Sequence, residues 1–259
     1  MELLKKKPCG AYRCNAVVTV DGLGGDPLPC NYENTNWRII RVEQTMEIPL
    51  CAFLLINGKI ADIVIRADAR SAADRLTVRL CGSAKLPERC EELKVIARPY
   101  TTTEGKSACL LELNGGCFVC NAFRNGQLWI EVSVPLYYRF DTLIANGHSL
   151  YIKSRVFTEH KFEFKGTGQI DAFVHSPSTI LRTEEGDISL EVSSATDAYI
   201  EVRTNAGNVE VVAKGFEKTN VLMSSMSSED LYEPGLKPGR RGVCLNGKIM
   251  ANYGTAVIK

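Results

Sequence analysis

Two short segments, nearly the same phrase, constrain this chain more than anything else in it. Leu181-Arg-Thr-Glu-Glu-Gly-Asp-Ile-Ser-Leu190 is answered 21 residues later by Val202-Arg-Thr-Asn-Ala-Gly-Asn-Val-Glu-Val211. Both read apolar-Arg-Thr-x-x-Gly-Asp/Asn-apolar-polar-apolar. Looser copies surround Gly147 (Leu143 to Ile152) and Gly168 (Phe164 to Ala172), and Cys244-Leu-Asn-Gly-Lys-Ile-Met250 extends the set through Gly247. Leu55-Ile-Asn-Gly-Lys-Ile60 is a near copy of that last segment. A glycine that can take positive φ reverses the chain tightly, and Asn-Gly, Glu-Gly-Asp and Ala-Gly-Asn are turn chemistry. The alternation after each turn makes a strand with one apolar face. A unit of about 20 residues cannot bury that face alone, whereas stacked units bury it continuously. The pattern therefore predicts a β-solenoid. Asn-Gly between strands is also a hairpin signal, so a sandwich of ordinary hairpins is the competing fold.

Upstream, strand patterns recur at Ala16 to Val20, Trp37 to Val42, Ile60 to Ile65, Leu76 to Leu80, Leu93 to Ala97, Ala108 to Leu113 and Leu128 to Val134. Turn residues separate them, which indicates an all-β chain. The longest apolar run, Pro49 to Ile56, has the length of one buried strand. Helical signals are confined to short stretches at Ser71 to Asp74, Leu86 to Leu93 and Ser225 to Leu231. The expected organisation is an N-terminal segment or cap over residues 1–44 and one elongated β domain over 45–259. Its clearest units span 138–220, its less regular β part comes first, and a polar, Pro/Gly-rich loop is inserted at 222–242.

Charge narrows the function. The chain has 31 Lys+Arg against 30 Asp+Glu, a formal net charge of +1, so no clustered basic face points to nucleic acid. No stretch approaches the length of a membrane span. No secretory signal is visible behind Met1, which leaves a cytoplasmic location as the expectation. Ten cysteines in such a chain read as mostly free thiols in a reducing compartment, with Cys51, Cys109 and Cys244 acting as small hydrophobes in strands.

The repeated phrase resembles the Thr-x-x-Gly-Asp-Ile-x-Leu motif of putative-adhesin domains, a bacterial-type β-helix family of unknown function with intracellular eukaryotic relatives. Thr183 to Leu190 fits that motif, and Thr204 to Val211 fits it with Asn208 in place of the acid. Ile130-Glu-Val-Ser-Val-Pro135, followed by Phe140-Asp-Thr-Leu143, resembles the Val-x-Val-Pro approach to the repeats in that family. The resemblance covers about Ile130 to Asn220 and is looser elsewhere. It implies a right-handed β-helix with an adhesive or interaction role, a protein or glycan partner, and no catalytic residues.

Residues with chemistry are few. Cys117-Phe-Val-Cys120 is a CxxC, but it lacks the strand-then-helix setting that activates a redox thiol. With Cys9 and Cys14 it could make a four-thiolate zinc site only if the amino terminus folds back. His148, His160 and His175 sit at irregular spacing, with His148 on an expected solvated corner. Gly22-Leu-Gly-Gly25 lacks the residues of a phosphate loop. Asp171, Glu184, Glu185, Asp187 and Glu201 recur along the units, and a carbohydrate-active enzyme would need two such carboxyls across one groove, about 5–10 Å apart. The competing role for Asp187 and its equivalents is to satisfy backbone N–H groups in turns. The loop at 222–242, with Tyr232, Arg240 and Arg241, is the best candidate for a partner contact, against the stronger competing reading of a disordered surface loop. No catalytic, cofactor-binding or metal-binding residue is assigned, and no cofactor is expected. The expected function is a non-enzymatic scaffold or interaction protein, with a carbohydrate-active β-helix enzyme as the alternative.

Overall fold

The computed structural model of the protein describes residues 37–69, 73–87, 93–114, 127–225, 229–232 and 242–259. Strand Ala16 to Val20, the Gly22–Gly25 loop and all four thiols of the zinc candidate lie outside those residues. So does most of the 222–242 loop. Among the described residues the chain is all β and has no helix.

The strands are β1 (Trp37–Pro49), β2 (Phe53–Asn57), β3 (Asp62–Asp68), β4 (Arg75–Pro87), β5 (Lys94–Thr101), β6 (Ser107–Asn114), β7 (Gln127–Pro135), β8 (Arg139–Asn146), β9 (Leu150–Ile152) and β10 (Val156–Gly166). They continue as β11 (Ile170–His175), β12 (Ser178–Glu185), β13 (Ile188–Ser193), β14 (Ala198–Ala206), β15 (Val209–Lys214), β16 (Lys218–Ser225), β17 (Glu229–Tyr232), β18 (Cys244–Tyr253) and β19 (Ala256–Ile258). Strand β1 runs without a break across residues 44 and 45. The apolar run from Pro49 is split, because Pro49 ends β1 and β2 begins at Phe53. In place of a helical turn near Ser225 to Leu231, β16 pairs antiparallel with β17.

Parallel pairing joins strands two apart in sequence from β8 to β15 and strands four or six apart nearer the ends, which produces two ladders. One runs β6-β2-β8-β10-β12-β14-β18-β16. The other runs β7-β3-β9-β11-β13-β15-β19. A Gly-containing turn carries the chain from one ladder to the other. The ladders meet where Val156 and Phe157 pair with Val174 and His175. Antiparallel strands finish the ends: β5 lies on β6, β17 on β16, and β4 on β7 with the long β1 paired along its other side. At that last end the Gln44 amide reaches across to β5. Its Nε2 donates to Val95 O at 3.0 Å, and its Oε1 accepts from Val95 N at 2.7 Å.

Alternation builds the core. Leu54, Leu143, Phe162 and Ile200 stack inward on one ladder, and Ile63, Leu150, Ile170, Ile188 and Val209 on the other, all at 1% exposure or less. The repeated phrase has a physical account at each position. Buried Thr183 and Thr204 donate to the carbonyl oxygens of Gly168 and Gly186, one unit back, at 2.6 and 3.0 Å. Asp187 accepts from the Asn208 amide at 2.7 Å, one unit forward, and Asn208 in turn accepts from the Thr255 amide at 3.1 Å. Asp187 thus satisfies a turn N–H, that of the neighbouring unit. Gly186 and Gly207 have φ of 108° and 145°, so the turn requires glycine there. Gly147 and Gly168 lack a positive φ and are needed for space instead: an added Cβ would sit 2.7 Å from Ala61 O and 2.4 Å from Ser149 Oγ.

Gly247 departs from expectation. It is no turn residue, but lies inside β18, paired with Ile200 and Val221. The turn falls at Gly254, whose added Cβ would lie 1.9 Å from Gly207 O. The resemblance between Leu55–Ile60 and Cys244–Met250 is therefore not structural equivalence, since Gly58 does sit between β2 and β3 while Gly247 does not sit between β18 and β19.

Candidate interaction surface

Where the ladders meet, successive units present an aromatic row whose first ring is exposed and whose next two, Phe157 and His175, are half-buried. Pro135 to Tyr138 forms a turn closed by Tyr138 N donating to Pro135 O at 3.1 Å. Tyr137 sits in it with φ of +62°, a conformation uncommon for a bulky side chain. That backbone thrusts the ring outward: Tyr137 is 77% exposed and its neighbour Leu136 47%. The Tyr137 ring lies 6.4 Å from that of Phe157, and Phe157 lies 5.4 Å from His175. His175 Nδ1 is 3.0 Å from Ser193 Oγ on the next unit. Cations flank the row. The Arg139 guanidinium stands 5.4 Å from the Phe157 centroid, and Arg155 covers Phe173 at 4.2 Å. Strained backbone conformations persist where the surrounding structure holds them and concentrate at functional sites.

The carboxylates behave differently. Glu201 pairs with Arg182 at 3.0 Å and Lys248 at 3.8 Å, Glu191 with Lys214 at 2.6 Å and Arg155 at 3.5 Å, and Glu131 with Arg66 at 3.0 Å. Each binds cations on neighbouring strands. Asp171 is exposed on β11 and Glu201 lies on β14, so the two belong to different ladders. Glu184 and Glu185 are exposed at the end of β12, and Asp187 is taken up by Asn208. The structure does not gather these candidates into the two-carboxyl groove that glycosidase chemistry needs.

The histidines divide three ways. His148 is exposed on its corner with Nδ1 2.8 Å from Thr167 Oγ1. His175 joins the aromatic row. His160 Nε2 is 3.4 Å from Asp141, an acid partner that spacing alone did not suggest. Asp141 also takes the Lys106 ammonium, and that hydrogen bond raises the lysine above its ordinary value. Burial lowers Lys59, against the opposing pull of Glu112. Among the described residues no group of three or more His, Cys, Asp and Glu side chains is placed to hold a metal ion. Nor, among them, is any helix long and apolar enough to cross a membrane.

The aromatic row was not singled out in the sequence, yet a signal exists. Tyr137, Phe157 and His175 are spaced by 20 and 18 residues, close to the 21 and 18 that separate Gly147, Gly168 and Gly186. One aromatic ring per unit, 10 or 11 residues before the turn glycine, is the pattern to seek.

No family model matches the sequence, and no curated protein matches it. Solved structures do resemble it. A putative cell adhesion protein from Clostridium sporogenes superposes with a TM-score of 0.50 at 9% identity, covering 85% of this chain and 99% of that one. A putative adhesin from Bacteroides fragilis covers 83% of this chain and 97% of its own length at 10% identity, with a TM-score of 0.29. A putative lipid binding protein from Parabacteroides distasonis covers 83% and 96% at 12% identity, also at 0.29. The last two overlap too loosely to bear on this chain. The first shows that the chain shares an all-β fold with that Clostridium protein.

Proposed function

We propose that this protein is a non-enzymatic interaction scaffold, a β-solenoid of the right-handed β-helix type, that holds a protein or glycan partner. The observation that carries this reading is the row Tyr137–Phe157–His175, exposed at Tyr137 and half-buried beyond it. It is fixed on a rigid ladder, flanked by Arg139 and Arg155, and begins with a ring forced outward by positive φ. Amphipathic aromatic rings and guanidinium groups are the side chains that dominate binding energy at interfaces. Glu131, Glu191 and Glu201 are engaged in ion pairs with cations of neighbouring units, which supports a scaffold over the carbohydrate-active alternative. The thiols of Cys51, Cys81, Cys109 and Cys244 are free, in keeping with a cytoplasmic setting.

The test compares the wild type with Tyr137→Ala and Phe157→Ala on a glycan array and in crosslinking to co-purifying proteins. The expected result is specific retention of one ligand class by the wild type, weakened about tenfold or more by either change, with unaltered circular dichroism. Equal retention by all three proteins would reject the corner as the binding surface. Turnover of an oligosaccharide by the wild type would reject the scaffold reading itself.

A further inference from the structure

The arginine of the repeated phrase takes no part in turn or core. Arg182 and Arg203 each precede a buried threonine and point outward, Arg182 half-buried and Arg203 exposed. The pairing of β12 with β14 sets them directly opposite one another, and the pairing of β10 with β12 sets Lys165 opposite Arg182. Three successive rungs thus carry a cation at the same register position. Like charges directly opposite on paired strands destabilise a sheet. The other ladder has no such row: its outward stacks read Asp171–Ser189–Glu210 and Phe173–Glu191–Val212.

The neighbouring carboxylates leave the row largely unspent. Glu163 takes Lys161 at 2.5 Å, and Glu201 is shared by Arg182 at 3.0 Å and Lys248 at 3.8 Å. Arg182 reaches Glu201 through Nε and Nη2, which leaves Nη1 for a ligand. Arg203 makes no ion pair with any described residue. Glu184, exposed at the end of β12, bounds the row on that side. Next to Arg203 along β14, Asn205 Oδ1 accepts from Asn252 Nδ2 at 3.1 Å, and this amide pair has further donors and acceptors to offer. The backbone under the row is held by Thr183 and Thr204, which donate to Gly168 O and Gly186 O one unit back.

We propose that the row Lys165–Arg182–Arg203 is a binding track for a linear polyuronic acid, which lies across the strands with one carboxylate on each rung. Paired strands lie about 4.8 Å apart, so the track offers one cation per step of that size. A polyuronic acid carries one carboxylate per sugar and advances by nearly that step per sugar. An extended acidic peptide presents side chains on one face only at every second residue, about 6.7 Å, and falls out of step. Guanidinium groups hold carboxylates through paired hydrogen bonds, and the Asn205–Asn252 amides meet the sugar hydroxyls, which a polyglutamate lacks. This surface is separate from the Tyr137 corner and stands even if that corner binds nothing.

The experiment titrates the full chain with tetragalacturonate in a calorimeter at low ionic strength. The expected result is saturable binding by the wild type that weakens as salt is raised. Arg203→Gln should weaken it about tenfold, Arg203→Lys less, and Lys165→Gln should also weaken it. Lys214→Gln, an equal loss of charge on the other ladder, should bind as the wild type does, and so should Tyr137→Ala. Absence of binding, equal affinity for tetraglutamate, or wild-type affinity in Arg203→Gln would overturn the proposal. A loss in Lys214→Gln or Tyr137→Ala as large as in Arg203→Gln would overturn it too, by placing the sugar chain elsewhere. Circular dichroism of each variant confirms that the fold is kept.

Discussion

The middle of the molecule and its two ends are built by different rules. From β8 to β15 each unit lies beside the next in sequence, and local chemistry holds the contact: a threonine hydroxyl one unit back, an Asp or Asn one unit forward. At the ends the order breaks. The β2 strand is inserted between β6 and β8, so the chain leaves, builds β4 to β7 outside it, and returns. The β18 strand is likewise inserted between β14 and β16. Each end holds strands from near a chain terminus one layer in, β2 and β3 at one end and β18 at the other, and adds antiparallel strands outside. The difference is physical. A turn needs a few residues of the right type, whereas insertion is decided by which exposed edge buries more surface once the neighbours exist, and exposed edges are costly to leave open.

The largest expected effect breaks the middle. In Gly207→Ala the new Cβ would lie 2.2 Å from Gly186 O at a φ of 145°, a backbone clash that no side chain can relieve. The expected cost is about 3–5 kcal/mol in urea unfolding. Gly215→Ala has a φ of 81° and no neighbouring atom within 4 Å, so it isolates the conformational cost at about 1 kcal/mol. Gly254→Ala isolates the clash at the inserted end, 1.9 Å from Gly207 O. Equal losses for Gly207 and Gly215 would mean that close approach between units is not what demands glycine.

The next effect compares two buried threonines of equal shape. Thr204 donates to Gly186 O, whereas the Thr179 hydroxyl, fully buried, has no hydrogen-bond partner. Thr204→Val leaves a buried carbonyl without its donor and should cost about 1–2 kcal/mol, while Thr179→Val should be neutral or stabilising by up to about 1 kcal/mol. Chemical denaturation of the pair measures both, and a loss at Thr179 as large as at Thr204 would contradict the ladder account.

The same contrast explains what the sequence could reveal. Gly147, Gly168, Gly186 and Gly207 were legible as unit boundaries because turn chemistry is local, and Asp187 was legible as a partner for a backbone amide. Gly247 misled because Asn-Gly is a turn signal only where the chain is free to turn, and here Ile200 and Val221 pair with it on both sides. Gly254 was missed although Gly-Thr-Ala-Val-Ile258 repeats the Gly-polar-apolar-polar-apolar phrase. The interaction surface was hidden for another reason. Its rings are contributed one per unit, and only stacking brings Tyr137, Phe157 and His175 together.

A third prediction tests the join between the regions. Tyr138, at the start of the regular array, reaches Cys51 at the edge of the inserted unit, and burial pushes its hydroxyl up to about 12. The fold therefore favours the protonated phenol. That contribution is complete below the unfolded value near 10 and is lost as pH rises from about 10 toward 12. The expected loss is on the order of 1 kcal/mol, allowing for the ring's partial exposure. Tyr138→Phe should flatten that alkaline decline in a pH series of melting curves; an unchanged slope would remove Tyr138 as its source.

The smallest effect belongs to the outer rows. Glu201 bridges Arg182 and Lys248, with its own side chain 18% exposed and the two cations 39% and 43% exposed. Solvent and salt screen pairs of this kind, so Glu201→Gln should cost about 0.5–1 kcal/mol at low salt and less at high salt. Gln keeps the length and one acceptor, which confines the change to charge. Denaturation midpoints at two ionic strengths measure it. The expected hierarchy, glycine above threonine above ion pair, places the stability of the array in its turns and core and leaves its outer side chains free to vary. A loss above about 2 kcal/mol for Glu201→Gln would place structural weight on the outer rows and weaken the case that those faces are available for binding.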